Sequence, residues 1–487
     1  MKKILLLVDQ KARDLASVLL IGEYLRTFGL KAYYCNKGNM LAMALKVKPD
    51  IMVFSCSEGN YNDLARHIAP HCKIVLMTQE GACATKESTV LRHTFKGLSE
   101  TCYIKGLSRV YLWNEASRQW LAEENVYPAE IVRVVGTSRL DPYRMGGSRR
   151  PRKTGALRVG IANRGAAVNP STPGNPIELL DACRLPVGSH RAYVDKDREW
   201  EDYVWHSSAS VRVTLDIVEA LCKNSQYEVI LRPDPYEAPS SYKFLERRSA
   251  NFRVNADPIL YNYIDEIDVL LTEFSTTGVE ALLLNKPVIS FQRLLGPRLP
   301  EHNSKPNHLN PEQMQLYWQP NTREELQVLL DKAQAGQLAC TPKPNELRAY
   351  LQHYYDWPRA GSSSARLIAQ DLAELAVEEK PVSLQEFHQR DFMEHPRLVR
   401  VARNSHLPKF IARFILSSPW IDDIRLFWSA YRSGNLANFE RSEFFWWNRS
   451  EIRSVLGIFD ALKRIDDRDA GQSKTVGRAS GRAVGSL

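Results

Sequence analysis

None of the eight cysteines in this 487-residue chain stands at CxxC spacing from another. Scattered through apolar surroundings, they read as free, buried thiols of a reducing, cytoplasmic compartment. No run reaches the roughly 18 uninterrupted apolar residues of a membrane span, so membrane contact is expected to be peripheral at most. The opening MKKILLLVDQ loses its apolar character at Asp9, far short of a signal-peptide core, and reads as a first buried strand. The net charge of +9 points to acidic partners such as phosphorylated small molecules or anionic membrane surfaces. No zinc-finger, homeodomain or RNP pattern accompanies it, so nucleic acid is not an expected partner. No GxGxxG follows the first strand, which weakens a nicotinamide or flavin reading. No DxD signature stands in a suitable loop, and no metal site is expected.

What is present is a regular alternation. ILLLVD, KAYYC, DIMVFS, KIVLMT, RVYLW and IVRVVG are short buried-strand candidates, most followed by a polar turn and a helical stretch. The pattern predicts a parallel sheet covered on both faces. A basic, turn-rich segment at 146–156 (GGSRRPRKTGA) reads as a linker. A second alternation follows through LRVGIANRG, a helix around Val211 to Cys222, YEVILRP, FRVNA, DVLLTEF and PVISF. The stretch from Ala166 to about Trp205 reads as a long insert, and SSSARLIAQDLAELAVEE as a helix that closes the second domain. The expected fold class is therefore α/β, with two Rossmann-like doubly wound domains facing a cleft and a C-terminal helical extension. Its divisions are 1–145, the linker 146–156, 157–380, a helical basic and aromatic extension 381–467, and a disordered tail 468–487. Basic residues interleave with Phe, Trp, Leu and Ile through 395–465. That texture suits either a peripheral membrane contact or helices packed on the protein's own core.

Three constellations fall at strand ends. In TQEGACATKES, Glu80 followed by Gly81 allows close approach of a substrate, with Glu80 as a general base; an ordinary turn with a solvated Glu fits equally. In LRPDPYE, two prolines fix a loop that presents Arg232 and Asp234. Arg232 suits a phosphate or carboxylate, and Asp234 suits a nucleophile toward an oxocarbenium-like sugar or an orienting group. An Arg232 to Asp234 staple is the plainer alternative. In LTEFSTTGVEALLLNKPVISF, a polar turn separates strand from helix. Ser275, Thr276, Thr277 and Gly278 would offer amides and hydroxyls to a phosphate at the helix N-terminus, with Glu280 reaching a ribose hydroxyl. The plainer alternative is a capping box of Thr277 and Glu280.

Taken in order, KPDIMVFS, KIVLMTQEG, RVYLWNEASRQWL, IVRVVGTSRLDPYR, YEVILRPDPYE and DVLLTEFSTTGVEALLLNKPVISF make residues 1–380 resemble a GT-B glycosyltransferase. More narrowly, they resemble the bacterial surface-carbohydrate biosynthesis proteins that include the Kdo transferases of capsule and lipopolysaccharide assembly. The resemblance implies a nucleotide-sugar donor, favoured as CMP-Kdo, a glycan or glycolipid acceptor, and no further cofactor. It implies that Glu80 and Gly81 lie on the acceptor side, that the RPDP loop contacts the donor, and that the Ser/Thr run holds its phosphate. Many relatives carry His-Pro where this chain has Asp234 and Pro235, a departure shared with retaining Kdo transferases. Arg139 and Asp141 in GTSRLD are expected to fix the hinge rather than touch substrate. Rival readings are a UDP-GlcNAc 2-epimerase, a CDP-glycerol glycerophosphotransferase, and a non-catalytic glycan-binding scaffold.

Overall fold

A computed structural model of the chain describes residues 1–8, 11–35, 40–54, 72–77, 107–125, 127–146, 155–165, 168–169, 198–234, 237–255, 257, 259–273, 275–295, 311–357, 361–378 and 449–482. These fall into two compact units: the first lies within Met1–Gly81, Leu91–Asp141 and Pro358–Leu487, the second within Pro142–Trp357.

The first unit is built from β1 (Lys3–Leu7), α1 (Lys11–Thr27), β2 (Lys31–Cys35), α2 (Met40–Val47), β3 (Ile51–Phe54), β4 (Lys73–Met77), β5 (Leu107–Leu112), α3 (Glu115–Glu123) and β6 (Val132–Val134). All six strands pair in parallel, in the order β2-β1-β3-β4-β5-β6. Ile51 to Phe54 and Lys73 to Met77 are buried along their whole length, as expected where helices cover both faces of a parallel sheet. Asn114 caps α3 by accepting from the Ser117 amide at 2.7 Å.

The second unit contains β7 (Leu157–Ala162), α4 (Arg198–Cys222), β8 (Tyr227–Arg232), α5 (Lys243–Arg248), β9 (Phe252–Val254), α6 (Leu260–Glu266), β10 (Val269–Thr272), α7 (Thr276–Leu283), β11 (Val288–Ser290), α8 (Pro311–Gln315), α9 (Arg323–Gln334) and α10 (Pro344–Tyr355). Its five parallel strands run β11-β10-β7-β8-β9. From β7 the chain winds outward to β8 and β9, then returns to the other side for β10 and β11. One core takes Val159 and Ile161 of β7, Val229 and Leu231 of β8, and Val213 and Ile217 of α4. Both units are thus doubly wound α/β structures with every strand that the sequence pattern anticipates.

Three expectations are corrected. The helix near 362–379 is α11 (Ser364–Val377), and it belongs to the first unit rather than closing the second. Its apolar face of Ile368, Leu372 and Leu375 is fully buried, and its ends explain its address. Asp141 accepts from the amides of Ser364 and Ala365 at 2.9 and 2.7 Å. At the other end Lys73 donates to the carbonyls of Leu375 and Glu378, and midway along the helix Tyr111 donates to Asp371 at 2.6 Å. Asp141 therefore marks the end of the first unit's N-terminal stretch, four residues before the expected boundary at 145.

The C-terminal stretch 449–482 forms one helix, α12 (Arg449–Arg482), which runs through most of the segment expected as a disordered tail. Val455, Ile458, Phe459 and Leu462 are buried, and Phe459 packs edge-on against Tyr24 of α1 at 5.0 Å. Once that half is anchored, each further residue adds a hydrogen bond without a new nucleation cost. Val455, Ile458, Phe459 and Leu462 therefore face the protein's own core rather than a membrane, while Leu456 stays exposed. Residues 395–448 of the expected membrane-contacting segment lie outside the described residues.

Asp466 of α12 joins the same helix end. It accepts from the Ser363 amide at 2.8 Å, the Ser363 hydroxyl at 2.6 Å and the Tyr24 hydroxyl at 2.7 Å. Replacing Asp141 by alanine strips two amides of α11 of their acceptor, and the expected loss is about 1–3 kcal/mol of stability. Urea unfolding followed by circular dichroism measures it, and an unchanged midpoint would show that this cap contributes nothing.

Candidate functional site

In a doubly wound sheet, ligands bind beyond the carboxyl ends of the strands where the winding direction reverses. In the second unit that point lies between β7 and β10, which pair side by side with Ala162 opposite Thr272. The residues that follow them, Asn163 to Gly165 and Glu273, emerge together. The exit of β8, with Arg232 and Asp234, lies on the other side of β7.

Glu237 organises these exits. Its carboxylate is buried and accepts from the amides of Gly165 and Asp234 at 2.7 and 3.1 Å and from the Tyr242 hydroxyl at 2.6 Å. Tyr242 in turn accepts from Asn163 at 2.9 Å. Burial raises the Glu237 pKa, opposed by the hydrogen bonds from Tyr242, Gly165 and Asp234. Glycine is needed at 165 for space: a Cβ there would lie 2.7 Å from Glu237 Oε2. One side chain thus ties the β7 exit to the β8 exit.

The resemblance assigns Glu237 no role, and it also passes over the pair His206 and Glu273. Glu273 follows β10 with no exposed surface, and its Oε1 contacts Nε2 of His206 on α4. Burial raises the Glu273 pKa to about 7, against the field of Arg164 and the nearby Ser210 hydroxyl. Burial, aided by Arg164, lowers His206 to about 4. His206 escaped the sequence reading because the helix was placed from about Val211, whereas α4 starts at Arg198. Glu273 had a usable signal, a carboxylate directly after an apolar strand and two residues before the Ser/Thr turn.

The turn itself is capped differently from either simple expectation. Ser275 is the N-cap of α7, its hydroxyl accepting from the Thr277 amide at 3.1 Å, so Thr277 is already inside the helix. Glu280 is buried and accepts a short hydrogen bond from Tyr143, which leaves neither the Thr277 and Glu280 capping box nor a carboxylate standing open to solvent. Gly278 is dictated by packing: a Cβ would collide with the ring of Tyr317. The Tyr317 hydroxyl donates to the Ser275 carbonyl at 3.1 Å, and Gln313 donates to the same oxygen at 2.9 Å.

Arg232 is half-buried. It donates to Asn255 Oδ1 at 2.9 Å and to the Asp257 carbonyl, and its guanidinium lies 5.6 Å from the Tyr263 ring centre. Burial pulls its pKa below the usual value, opposed by Tyr263, Asp257, Tyr143 and Glu280. The structure therefore brings Arg232, Glu280 and Tyr143 into one electrostatic neighbourhood. Asp234 is half-buried and joined to Glu237 through its backbone. Glu80 and Gly81 lie outside the described residues. Among the described residues no group of three or more His, Cys, Asp or Glu could hold a metal ion, and no helix is long and apolar enough to cross a membrane.

No protein-family model matches the chain, and no curated protein matches it in sequence. Solved structures of similar chain course include S. aureus MnaA with UDP, 11% identical at a TM-score of 0.43, over 79% of this chain and 100% of that one. A UDP-GlcNAc 2-epimerase of Methanocaldococcus jannaschii with UDP-GlcNAc and UDP is 11% identical at a TM-score of 0.42, over 77% and 100%. The wall teichoic acid polymerase TagF is 11% identical at a TM-score of 0.44, over 77% and 88%. The doubly wound topology described above rests on the strand orders themselves.

Gly278→Ala is expected to destabilise the second unit by about 1–3 kcal/mol through overpacking against Tyr317. Combining it with Tyr317→Leu should recover part of that loss in thermal unfolding. A Gly278→Ala protein as stable as the parent would refute the packing explanation.

Proposed function

We propose that this chain is a nucleotide-sugar-dependent glycosyltransferase of GT-B type, which binds its donor at the carboxyl edge of the second sheet. The supporting observation is the convergence at the β7 and β10 exits of Arg164, the capped N-terminus of α7 and a buried acid in contact with a histidine. A helix N-terminus favours anions through its amides and dipole, and Arg164 adds a full positive charge. Together they suit the phosphate of a nucleotide without requiring a metal.

In this reading Ser275, Thr276 and Thr277 present amides and hydroxyls to that phosphate. Arg232, held by Asn255 and Asp257, supplies a fixed cation near the β8 exit. Glu280 acts through Tyr143 and Arg232 rather than by direct contact with ribose. Asp234 serves as nucleophile or orienting carboxylate, and Glu80 as acid or base on the acceptor. CMP-Kdo or a related ulosonic acid is the favoured donor, on the strength of the RPDP loop, and a bacterial surface glycan or glycolipid the favoured acceptor. Localisation at the cytoplasmic face of the membrane belongs to the same proposal.

Calorimetric titration with CMP, UDP and CDP, first without metal and then with Mg²⁺, tests it. Selective, metal-independent binding of CMP is expected, followed by turnover of CMP-Kdo with an acceptor glycan. Asp234→Asn and Glu80→Gln should each lower transfer by about 100-fold or more with the circular dichroism spectrum unchanged. Release of free UDP from UDP-GlcNAc without acceptor would establish the epimerase instead, and turnover of CDP-glycerol the glycerophosphotransferase. Binding of no nucleotide would overturn the enzyme reading.

A further inference from the structure

Glu273 and His206 form an acid-base pair in contact, on two elements that the fold brings to the same sheet edge. Glu273 is 0% exposed, whereas His206 keeps 18% of its side chain accessible, so His206 is the member that reaches solvent. Glu273 Oε1 is engaged by His206. By strict geometry Oε2 has no hydrogen-bond partner among the described residues, nor has the Ser207 hydroxyl on the same helix; the Ser210 hydroxyl is near enough to favour the ionised carboxylate. An unmatched buried polar group is costly, and such exceptions call for a specific explanation.

Their place supplies one. Glu273 follows β10 beside the β7 exit, two residues before the Ser275 cap of α7. That is the point at which a doubly wound sheet takes its ligand. Four other charged groups on the surrounding elements are engaged elsewhere. Glu237 lies in the Gly165 network, Glu280 accepts from Tyr143, Arg293 donates to Asn321 at 3.0 Å, and Asp216 farther along α4 pairs with Arg323. Arg164 is the charge whose field reaches both members of the pair.

We infer that His206 contacts the phosphate of the bound nucleotide as a proton-carrying donor, and that Glu273 is the positioning residue that holds the proton for it. The inference rests on the nucleotide-sugar reading above. Each group is displaced toward its neutral form, so the pair in contact retains one titrating proton below about pH 7 and loses it above. With that proton the pair is neutral overall. Without it the pair carries a negative charge that repels phosphate. Nucleotide affinity is therefore highest below about pH 7, falls as the pH rises, and above that point binding draws one proton from solvent.

The full-length protein, titrated calorimetrically with the tightest-binding of CMP, UDP and CDP in buffers of different ionisation enthalpy, reads this directly. Affinity at about pH 8 should be about tenfold weaker than at about pH 6, with nearly one proton taken up at the higher pH. Glu273→Gln keeps the hydrogen-bond acceptor and removes the titration. Because the nucleotide's own titration is common to both proteins, the difference between wild type and Glu273→Gln isolates the proton of the pair. His206→Gln should bind more weakly at both pH values and show the same loss of uptake. Tight nucleotide binding with identical proton uptake in wild type and both variants would overturn the inference and leave the nucleotide reading standing. If no nucleotide binds the wild type, both fall together.

Discussion

The first unit depends on the N-terminus of α11, where two buried carboxylates meet one helix end. Asp141 takes the Ser364 and Ala365 amides, while Asp466 takes the Ser363 amide and hydroxyl. A helix start leaves several amides without internal partners and carries a positive partial charge. Buried amides of that kind need an acceptor, and an anion satisfies charge and hydrogen bond at once. The two acids lie 223 and 103 positions from their partners, so one helix end fixes three stretches of chain distant in sequence. Lys73 performs the opposite service at the far end by covering the last carbonyls of α11. Burial lowers its pKa, opposed by the field of Glu378; the two carbonyls take the place of water around its ammonium.

The second unit uses buried acids in two contrasting ways. Glu237 has hydrogen-bond donors on both carboxylate oxygens, and a fully satisfied network makes a rigid bracket. Glu273 is met by His206 on one oxygen and, among the described residues, only by the nearby Ser210 hydroxyl besides. The same burial that raises both pKa values thus yields a structural group in one case and a group able to respond to a ligand in the other. The number of donors decides the difference, and composition alone conceals it.

That concealment explains what could be read from the sequence. All eleven strands were legible. The central ones, such as Ile51–Phe54 and Lys73–Met77, stood out because a parallel strand buried on both faces leaves a nearly unbroken apolar run. The edge strands, such as Lys31–Cys35, were legible because they fall at regular places in the alternation. The amphipathic stripe of α11 was equally plain, yet a stripe says that a face is buried and not against which core. The polar turn at 275–278 between strand and helix was legible, but the packing role of its glycine was not: Gly278 makes room for Tyr317, a residue 39 positions later. His206 was hidden by the late expected start of α4, and Asp466, in the stretch expected as helical extension, by the lack of any local sign of its partners Ser363 and Tyr24. In each case the missing information was a partner far away in sequence.

The two glycines at the sheet edge sharpen the point. Glycine before or within a helix start is commonly taken as a sign of close approach by a phosphate. Here Gly165 abuts the Glu237 carboxylate and Gly278 abuts Tyr317, so both make room for the protein's own side chains. Those side chains then set the surface above the strands. Glu237 holds the β7 and β8 exits at a fixed separation, and Tyr317 with Gln313 fixes the Ser275 carbonyl and hence the cap of α7. A site framed this way needs little rearrangement to receive an anion, because the cap of α7 and the strand exits are already held by Tyr317, Gln313 and Glu237. Against that fixed frame, the proposed proton of the His206 and Glu273 pair is the element able to respond to a ligand.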